Sequence, residues 1–423
     1  MASNTEALKT ADGISLKLSL QRSLRKKKRN ALLLVAPLFL FIVITFLLPI
    51  FDMLIRGVDN KITQEILPTT VVALADWDPT SKQLPNEDVF KAMTLDGQAA
   101  AKAKTISRLG KRLNYEKSGF SSLFRKTGRK LKKFDPEKLT STYTENLIKI
   151  DKKWGKTETW AVIHKESGRY TKSYYLTAFD LTENTEGKIE WKDAESRIYI
   201  DLFKRTLWLS CLITFLTILL GYPIAYLLAT LKTRTSNLLM ILVLLPFWTS
   251  LLVRTSAWIA LLQKEGVIND TLVAIGIIGD DSRLSMIHNS TGTIIAMTHI
   301  LLPFMILPLF SVMKTINPSY VRAARSMGAT SFTAFRRVYF PNTIAGIGAG
   351  GILVFILSIG FYITPALVGG VDGTMISNFI AYHISTSLNW GLAAALGAIL
   401  LALVLVLYIL YDKLVGIDNM KLG

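Results

Sequence analysis

The chain has 423 residues, half of them hydrophobic, and a formal net charge of +18 at pH 7. A water-soluble chain of this length would hold two or three domains, but a mean hydropathy of +0.36 and long uncharged apolar runs exclude that organisation. The positive charge brackets hydrophobic segments, which argues for topology-setting and lipid-facing charge and against a nucleic-acid surface.

A basic cluster, Arg25, Lys26, Lys27, Lys28 and Arg29, precedes the first apolar run at 31–50. That run is longer than the apolar core of a signal peptide, and no small-x-small cleavage site follows it, so it reads as a retained anchor. Six spans are predicted, at 31–51, 206–231, 238–262, 292–313, 343–365 and 392–411, each near the roughly 20 residues needed to cross a bilayer. Basic residues recur after the even-numbered spans: Lys232 and Arg234, then Lys314, Arg322, Arg325, Arg336 and Arg337, then Lys413 and Lys421. The stretch between spans five and six carries none. This alternation predicts a multi-pass protein of a bacterial inner membrane with both termini in the cytoplasm. The expected order is a basic tail at 1–30, a first span at 31–56, an extracytoplasmic insert at 57–200, a membrane core at 201–415 and a tail at 416–423.

The insert is soluble in character and basic, which the charge rule tolerates because long loops translocate largely regardless of charge. Asp135-Pro136 offers an N-cap and a first helical residue, with Leu139, Tyr143, Leu147 and Trp154 roughly on one face. Residues 124–134, FRKTGRKLKKF, form a basic stretch. Residues 157–181 alternate, with Trp160, Val162, Tyr174, Tyr175 and Phe179 at strand-like positions. The expectation is a small α+β domain. Gly155-Lys156-Thr157 looks like the end of a phosphate-binding loop, but Ile150 stands where that loop needs glycine. His164, His288, His299 and His383 are scattered, and the single Cys211 permits no intrachain disulfide. No catalytic motif, metal site or cofactor of the chain's own is expected.

The spans contain helix breakers: Gly221-Tyr222-Pro223 in the second, Pro246 in the third, Pro303 and Pro308 in the fourth. Such residues are tolerated where neighbours or a cavity satisfy the freed backbone, which suits either ordinary kinks or a bundle that rearranges. Gly346, Gly348, Gly350 and Gly351 allow the fifth span to pack backbone-close against another helix.

Between spans four and five, the loop 314–342 is short, basic and rich in small residues. Pro318, capped by Asn317, starts a helix on which Tyr320, Ala323, Ala324 and Met327 share a narrow face, and Gly328 ends or bends it. Ala323-Ala324, then Gly328, then Val338-x-Phe340-Pro341 resembles the Glu-Ala-Ala loop of ABC-importer permeases, with Arg322 at the position of the glutamate. The resemblance continues through 219–229, 245–269 and 301–329, which look like the polyamine (spermidine/putrescine) branch of that family. It covers nearly all of 31–56 and 200–415, and the insert departs from it.

That resemblance implies an all-α six-span integral membrane core, not an enzyme. It implies a cytoplasmic ABC ATPase dimer that binds ATP and Mg and grips the loop, a second permease and a periplasmic substrate-binding protein. In this reading Tyr320, Arg322, Ala323, Ala324, Met327, Gly328 and Pro341 couple the spans to the ATPase, and the missing glutamate points to a non-identical second permease. Trp248, Arg254, Trp258, Tyr362, Thr364 and Trp390 are candidates for the substrate path. Aromatic faces attract organic cations by about 0.5–2 kcal/mol each, although Trp258 and Trp390 equally suit an interfacial aromatic belt. Arg254 would repel a cation and fits a structural pair or a carboxylate instead. The segment 361–370 offers no acid, and Asp372 follows only later. The expected cargo is a small polar organic solute of polyamine type; a zwitterionic or acidic solute such as an amino-acid derivative or opine is the alternative. A non-transporting protein that signals through its extracytoplasmic domain is a third reading.

Overall fold

The computed structural model describes residues 16–135, 141–184 and 187–415. Residues up to Arg56 form one compact unit and those from Gly57 a second. In the first, α1 (Leu16–Ile42) passes through a π turn at Val43–Leu47 into α2 (Leu48–Arg56). The apolar stretch Lys27–Arg56 is long enough to span a bilayer.

The insert opens the second unit with α3 (Lys61–Ile66), α4 (Pro68–Leu74), α5 (Glu87–Lys102), α6 (Ile106–Asn114), α7 (Phe120–Leu131), α8 (Tyr143–Ile150), α9 (Thr157–Lys165) and α10 (Ser173–Ala178). Among the described residues only β1 (Leu181–Glu183) and β2 (Ile189–Trp191) are strands, paired antiparallel with Leu181 opposite Trp191. The strands expected within 157–181 are therefore helices. Trp160 and Ile163, three residues apart, both turn fully into the core, which is helical and not alternating spacing. The core gathers on Trp154 and Trp160, whose rings lie 5.3 Å apart, with Phe90 4.7 Å from Trp160. The Pro136 start and Leu139 fall at 136–140, outside the described residues; α8 begins at Tyr143, capped by Thr142 Oγ1, which accepts from the Glu145 N–H. The basic stretch is α7: Phe124, Thr127, Gly128 and Leu131 face inward, and Arg125, Lys126, Arg129 and Lys130 face outward. Gly155-Lys156-Thr157 joins a single 3-10 turn to α9, with no preceding strand or cradle for phosphate.

The membrane core follows as α11 (Tyr199–Thr230), α12 (Thr233–Leu244), α13 (Leu251–Leu262), α14 (Val267–Ala274), α15 (Ser290–Thr315), α16 (Pro318–Ser326), α17 (Ser331–Ala334), α18 (Phe340–Gly360), α19 (Ile363–Val368), α20 (Ile376–Ser385) and α21 (Trp390–Val415). Of the predicted breaks, only Pro246 interrupts a span. It sits in a 3-10 turn at Leu245–Trp248, and the chain turns by 96° between Thr233–Trp248 and Leu251–Ala274. α11 runs through Pro223, and α15 through Pro303 and Pro308, because close packing of these helices holds each turn in place. The fifth span also starts earlier than predicted, as a continuous helical stretch from Ser331, and ends at Gly360 with α19 beyond it.

Two π turns share one cause. Leu48 and Phe340 each donate their N–H five residues back, to Val43 and Phe335, and each directly precedes a proline, Pro49 and Pro341. Proline has no N–H and its ring collides with the carbonyl four residues earlier, so the extra residue in the turn relieves that contact.

Gly346 and Gly350 seat α18 directly on α15. A Cβ at Gly350 would lie 2.7 Å from Met305 Sδ and 3.1 Å from the Met305 carbonyl; one at Gly346 would lie 3.2 Å from Leu309 Cα. Gly350→Leu is expected to force α15 and α18 apart at a cost of about 1–3 kcal/mol. Gly360→Leu, where a Cβ meets nothing within 4 Å, is the control. Thermal melting of the purified protein should separate the two variants.

Candidate functional site

The loop between α15 and α18 folds as the spacing predicts. Asn317 Oδ1 caps α16 by accepting from the Ser319 N–H at 3.0 Å, and Pro318 fills the first turn. At its end the Met327 N–H donates to Ala323 and the Gly328 N–H to Arg325, both at 3.0 Å. Gly328 adopts φ +88°, the left-handed conformation that a side chain resists, and this turns the chain away from the helix. Tyr320, Arg322, Ala323 and Met327 are exposed, Met327 at 82%. Ala324 departs from the expected face. It is buried against the bundle, where Val321 also packs, because it lies on the edge of the helix nearest the spans. Pro341 is exposed after the π turn. That turn is pinned to the end of α11: Tyr226 meets Tyr339 at 5.2 Å and Phe335 at 5.9 Å, and the Tyr222 hydroxyl bonds Thr343 Oγ1 at 3.2 Å. Packed rings and short turns thus tie the loop to α11 and α18.

The path candidates fall in several different environments. Trp258 donates its indole N–H to His299 Nδ1 at 3.2 Å, with the rings edge-on at 5.3 Å. One turn earlier on α13, Arg254 is partly exposed, yet its Nε and Nη1 are shut off from solvent and have no partner among the described residues. His299 also lines a cavity of about 350 Å³ walled by Ile224, Leu242, Pro246, Leu302 and Ile306. Thr364 is fully buried and meets Thr255 Oγ1 at 3.3 Å, so it fixes α19 to α13 and is not open to a solute. Tyr362 is exposed and its carbonyl accepts from Asn378 Nδ2 at 2.7 Å. Trp248 is 77% exposed at the bend, not deep within the bundle as its place in the predicted span suggests, because the helix breaks at that point. Trp390 lies apart from these, at the start of α21.

At the end of the bundle remote from α16, the insert is joined to the spans by residues that sequence reasoning missed. Tyr174 of α10 lies so close to Gly391 that a Cβ there would sit 2.3 Å from its ring. Tyr174, Ala178, Tyr199, Leu202, Ile376, Leu392 and Leu396 form one apolar cluster across insert and spans. The Tyr115 hydroxyl donates to the Ser387 carbonyl at 2.6 Å. Buried His383 contacts the Tyr199 hydroxyl at 3.0 Å and Ser387 Oγ at 2.9 Å, and burial pushes its pKa down to about 4, so it is neutral in this joint. No local motif signals these contacts; they pair residues up to 272 positions apart.

Beneath Tyr174 lies a buried ionic cluster. Arg112 donates to Glu166 Oε2 at 2.5 Å, to Glu116 Oε1 at 3.0 Å and to Asn60 Oδ1 at 3.1 Å, and its guanidinium stands 4.5 Å from the Tyr174 ring centre. Burial works against the Arg112 charge, but Glu166, Tyr174 and Glu116 outweigh it and hold its pKa above the ordinary value.

Residues 218–415 match the family of binding-protein-dependent transport system inner membrane components. The spermidine/putrescine transport system permease protein PotB of Haemophilus influenzae is 34% identical over 222 residues, covering 52% of this chain and 77% of that protein. The chain belongs to this permease family. The inner membrane ABC transporter permease protein YdcU of Escherichia coli is 31% identical over 229 residues, covering 51% of this chain and 72% of that one. A bacterial ABC transporter structure involved in the import of alginate aligns with a TM-score of 0.42 at 20% identity, over 53% of this chain and 80% of that one. By the family match and its curated relatives, the protein is a permease subunit of an ABC importer and a multi-pass inner membrane protein. The family match includes α16, the bent span and the Trp258–His299 pair, and it begins after the insert.

Proposed function

We propose that this permease forms one half of the path for a small polyamine-type solute, powered by a dimer of ATPase subunits that binds ATP and Mg. The observation that carries the cargo is the similarity to spermidine/putrescine permeases across the matched spans. In this reading α16 lies in the cytoplasm with both chain termini, and the insert lies outside. Tyr320, Arg322, Ala323 and Met327 meet a cleft on the ATPase, and Gly328 and Pro341 shape the turn that carries motion onward. Closure of the ATPases displaces α16, and the ring contacts of Tyr226 and Tyr222 pass that displacement to the long helices. The bent span, with Trp248 and Tyr362 exposed and Trp258 half-buried along its neighbourhood, opens toward a docked periplasmic binding protein. Such a cycle requires each state to bind its partners differently. Arg322, where the family carries glutamate, supports a non-identical second permease with the fuller loop.

Reconstitution tests this reading. The four kinds of subunit in vesicles should import radiolabelled spermidine in an ATP-dependent manner, with putrescine competing. ATP-dependent uptake of an amino acid with none of spermidine would overturn the cargo. Purification of an active complex holding two copies of this chain and no second permease would overturn the heterodimer.

A further inference from the structure

Most basic residues of the membrane core sit at the ends of its long helices, as Lys204, Arg205, Arg336 and Arg337 do, but Arg254 lies within an apolar stretch that has no acid to match it. No Asp or Glu occurs between Asp201 and Glu265, between Asp281 and Asp372, or between Asp372 and Asp412. Arg254 falls within the first of these gaps, in the fourth residue of α13, and two of its guanidinium nitrogens are shielded without a partner among the described residues. Holding an unpaired guanidinium within a bilayer is expensive, and such residues face a cavity or a counter-charge. An arginine cannot deprotonate to escape the cost.

The neighbours reinforce the preference for an anion. Arg254 lies four residues before Trp258 on the same side of α13, and Trp258 bonds His299 of α15. Trp258 can only donate, so its bond to Nδ1 places the His299 proton on Nε2 and makes that nitrogen a donor too. His299 lines the cavity of about 350 Å³, whose remaining wall is apolar. Arg254 does not itself line that cavity; the cluster offers N–H donors and little acceptor capacity along α13 and α15, with the open space at its His299 end. A planar carboxylate, which takes two parallel N–H bonds from one guanidinium, satisfies it best.

We propose that Arg254, with His299, forms a carboxylate-binding site within the spans whose ligand comes from outside this chain. The proposal rests on the permease reading above, in which α13 lines the path. The carboxylate has two sources. It is carried by the cargo, which then combines amines with an acid group, or it is a side chain of the second permease, which then supplies the acid that this chain lacks.

The test compares Arg254→Gln and Arg254→Lys with the wild type in the reconstituted importer. Uptake of whichever solute the wild type transports is measured, together with thermal melting of the solute-free complex. Wild-type uptake of spermidine tests the cargo reading; the ratio between variants tests the site, so one can fail without the other. Arg254→Gln is expected to lower uptake about tenfold or more, equivalent to about 1.4 kcal/mol, with Arg254→Lys recovering much of it. If the melting temperature of the empty complex is unchanged and the transported solute bears a carboxylate, the cargo supplies it; unchanged melting with spermidine as the transported solute overturns the proposal. If the empty complex melts lower with Gln and recovers with Lys, the second permease supplies it. Equal uptake and melting in Arg254→Gln and wild type overturns the proposal, and so does an Arg254→Lys variant as impaired as Arg254→Gln.

Discussion

Arg112→Ala is expected to destabilise the insert by about 3–5 kcal/mol, the usual cost of leaving one partner of a buried ion pair alone. Glu166 is fully buried, and Arg112 is one of several donors around it, with Asn60 Nδ2 at 2.9 Å and Ser173 Oγ at 2.7 Å. These neutral donors remain in the variant, but they do not neutralise the carboxylate. Glu116 keeps Lys165 at 3.2 Å, so the stranded charge is that of Glu166. The loss does not stay local. Arg112 supports the Tyr174 ring, and Tyr174 packs on Gly391 at the start of α21. Hydrogen exchange should accelerate first in α6, α9 and α10 and then across 387–396. Lys117→Ala, which removes an exposed pair with Glu158, should cost about 0–1 kcal/mol and leave exchange at α21 unchanged. Unchanged exchange at 387–396 in Arg112→Ala would show that the insert and the last span are not mechanically joined.

Substitution on the open face of α16 is expected to do the reverse, sparing stability and removing function. Ala323 and Met327 are exposed, and neither belongs to the apolar clusters of the bundle. Ala323→Arg and Met327→Asp should each change the melting of the isolated permease by no more than about 0.5 kcal/mol. If α16 is the coupling helix proposed above, a bulky or charged group on this face meets the ATPase in the assembled importer. ATP-driven uptake should fall about tenfold or more, at least about 1.4 kcal/mol of lost coupling. Ala324→Arg is the informative contrast. It drives a charge into the bundle and should reduce folded protein before coupling is reached. Uptake at wild-type rates in Ala323→Arg would remove α16 from the coupling role.

The long spans and the α16 cap were legible because their signals are local: apolar length, an Asn-Pro start, a glycine stop and the charge that follows each even span. The bend at Pro246 was flagged but not singled out, since Pro223, Pro303 and Pro308 look alike in sequence and only packing distinguishes them. Within the insert, 157–178 were misread as strands because Trp160 and Val162, two apart, mimic alternation, whereas burial at Trp160 and Ile163 follows the helical repeat. The joint between Tyr115, Tyr174, His383 and Gly391 had no local signal. Its members come together only when the insert folds back on the ends of α20 and α21. Arg254 was visible as an anomaly, but the shielding of its nitrogens and the Trp258–His299 bond required coordinates.

The central claim is that α16 is the cytoplasmic handle of this permease. Cys211 is the single native cysteine, so Ala323→Cys in a Cys211→Ser background gives one reporter thiol. Labelling with a membrane-impermeant maleimide should occur only from the cytoplasmic face of vesicles, and assembly with the ATPase should block it. Labelling from the external face, or labelling equally fast with the ATPase bound, would contradict the account.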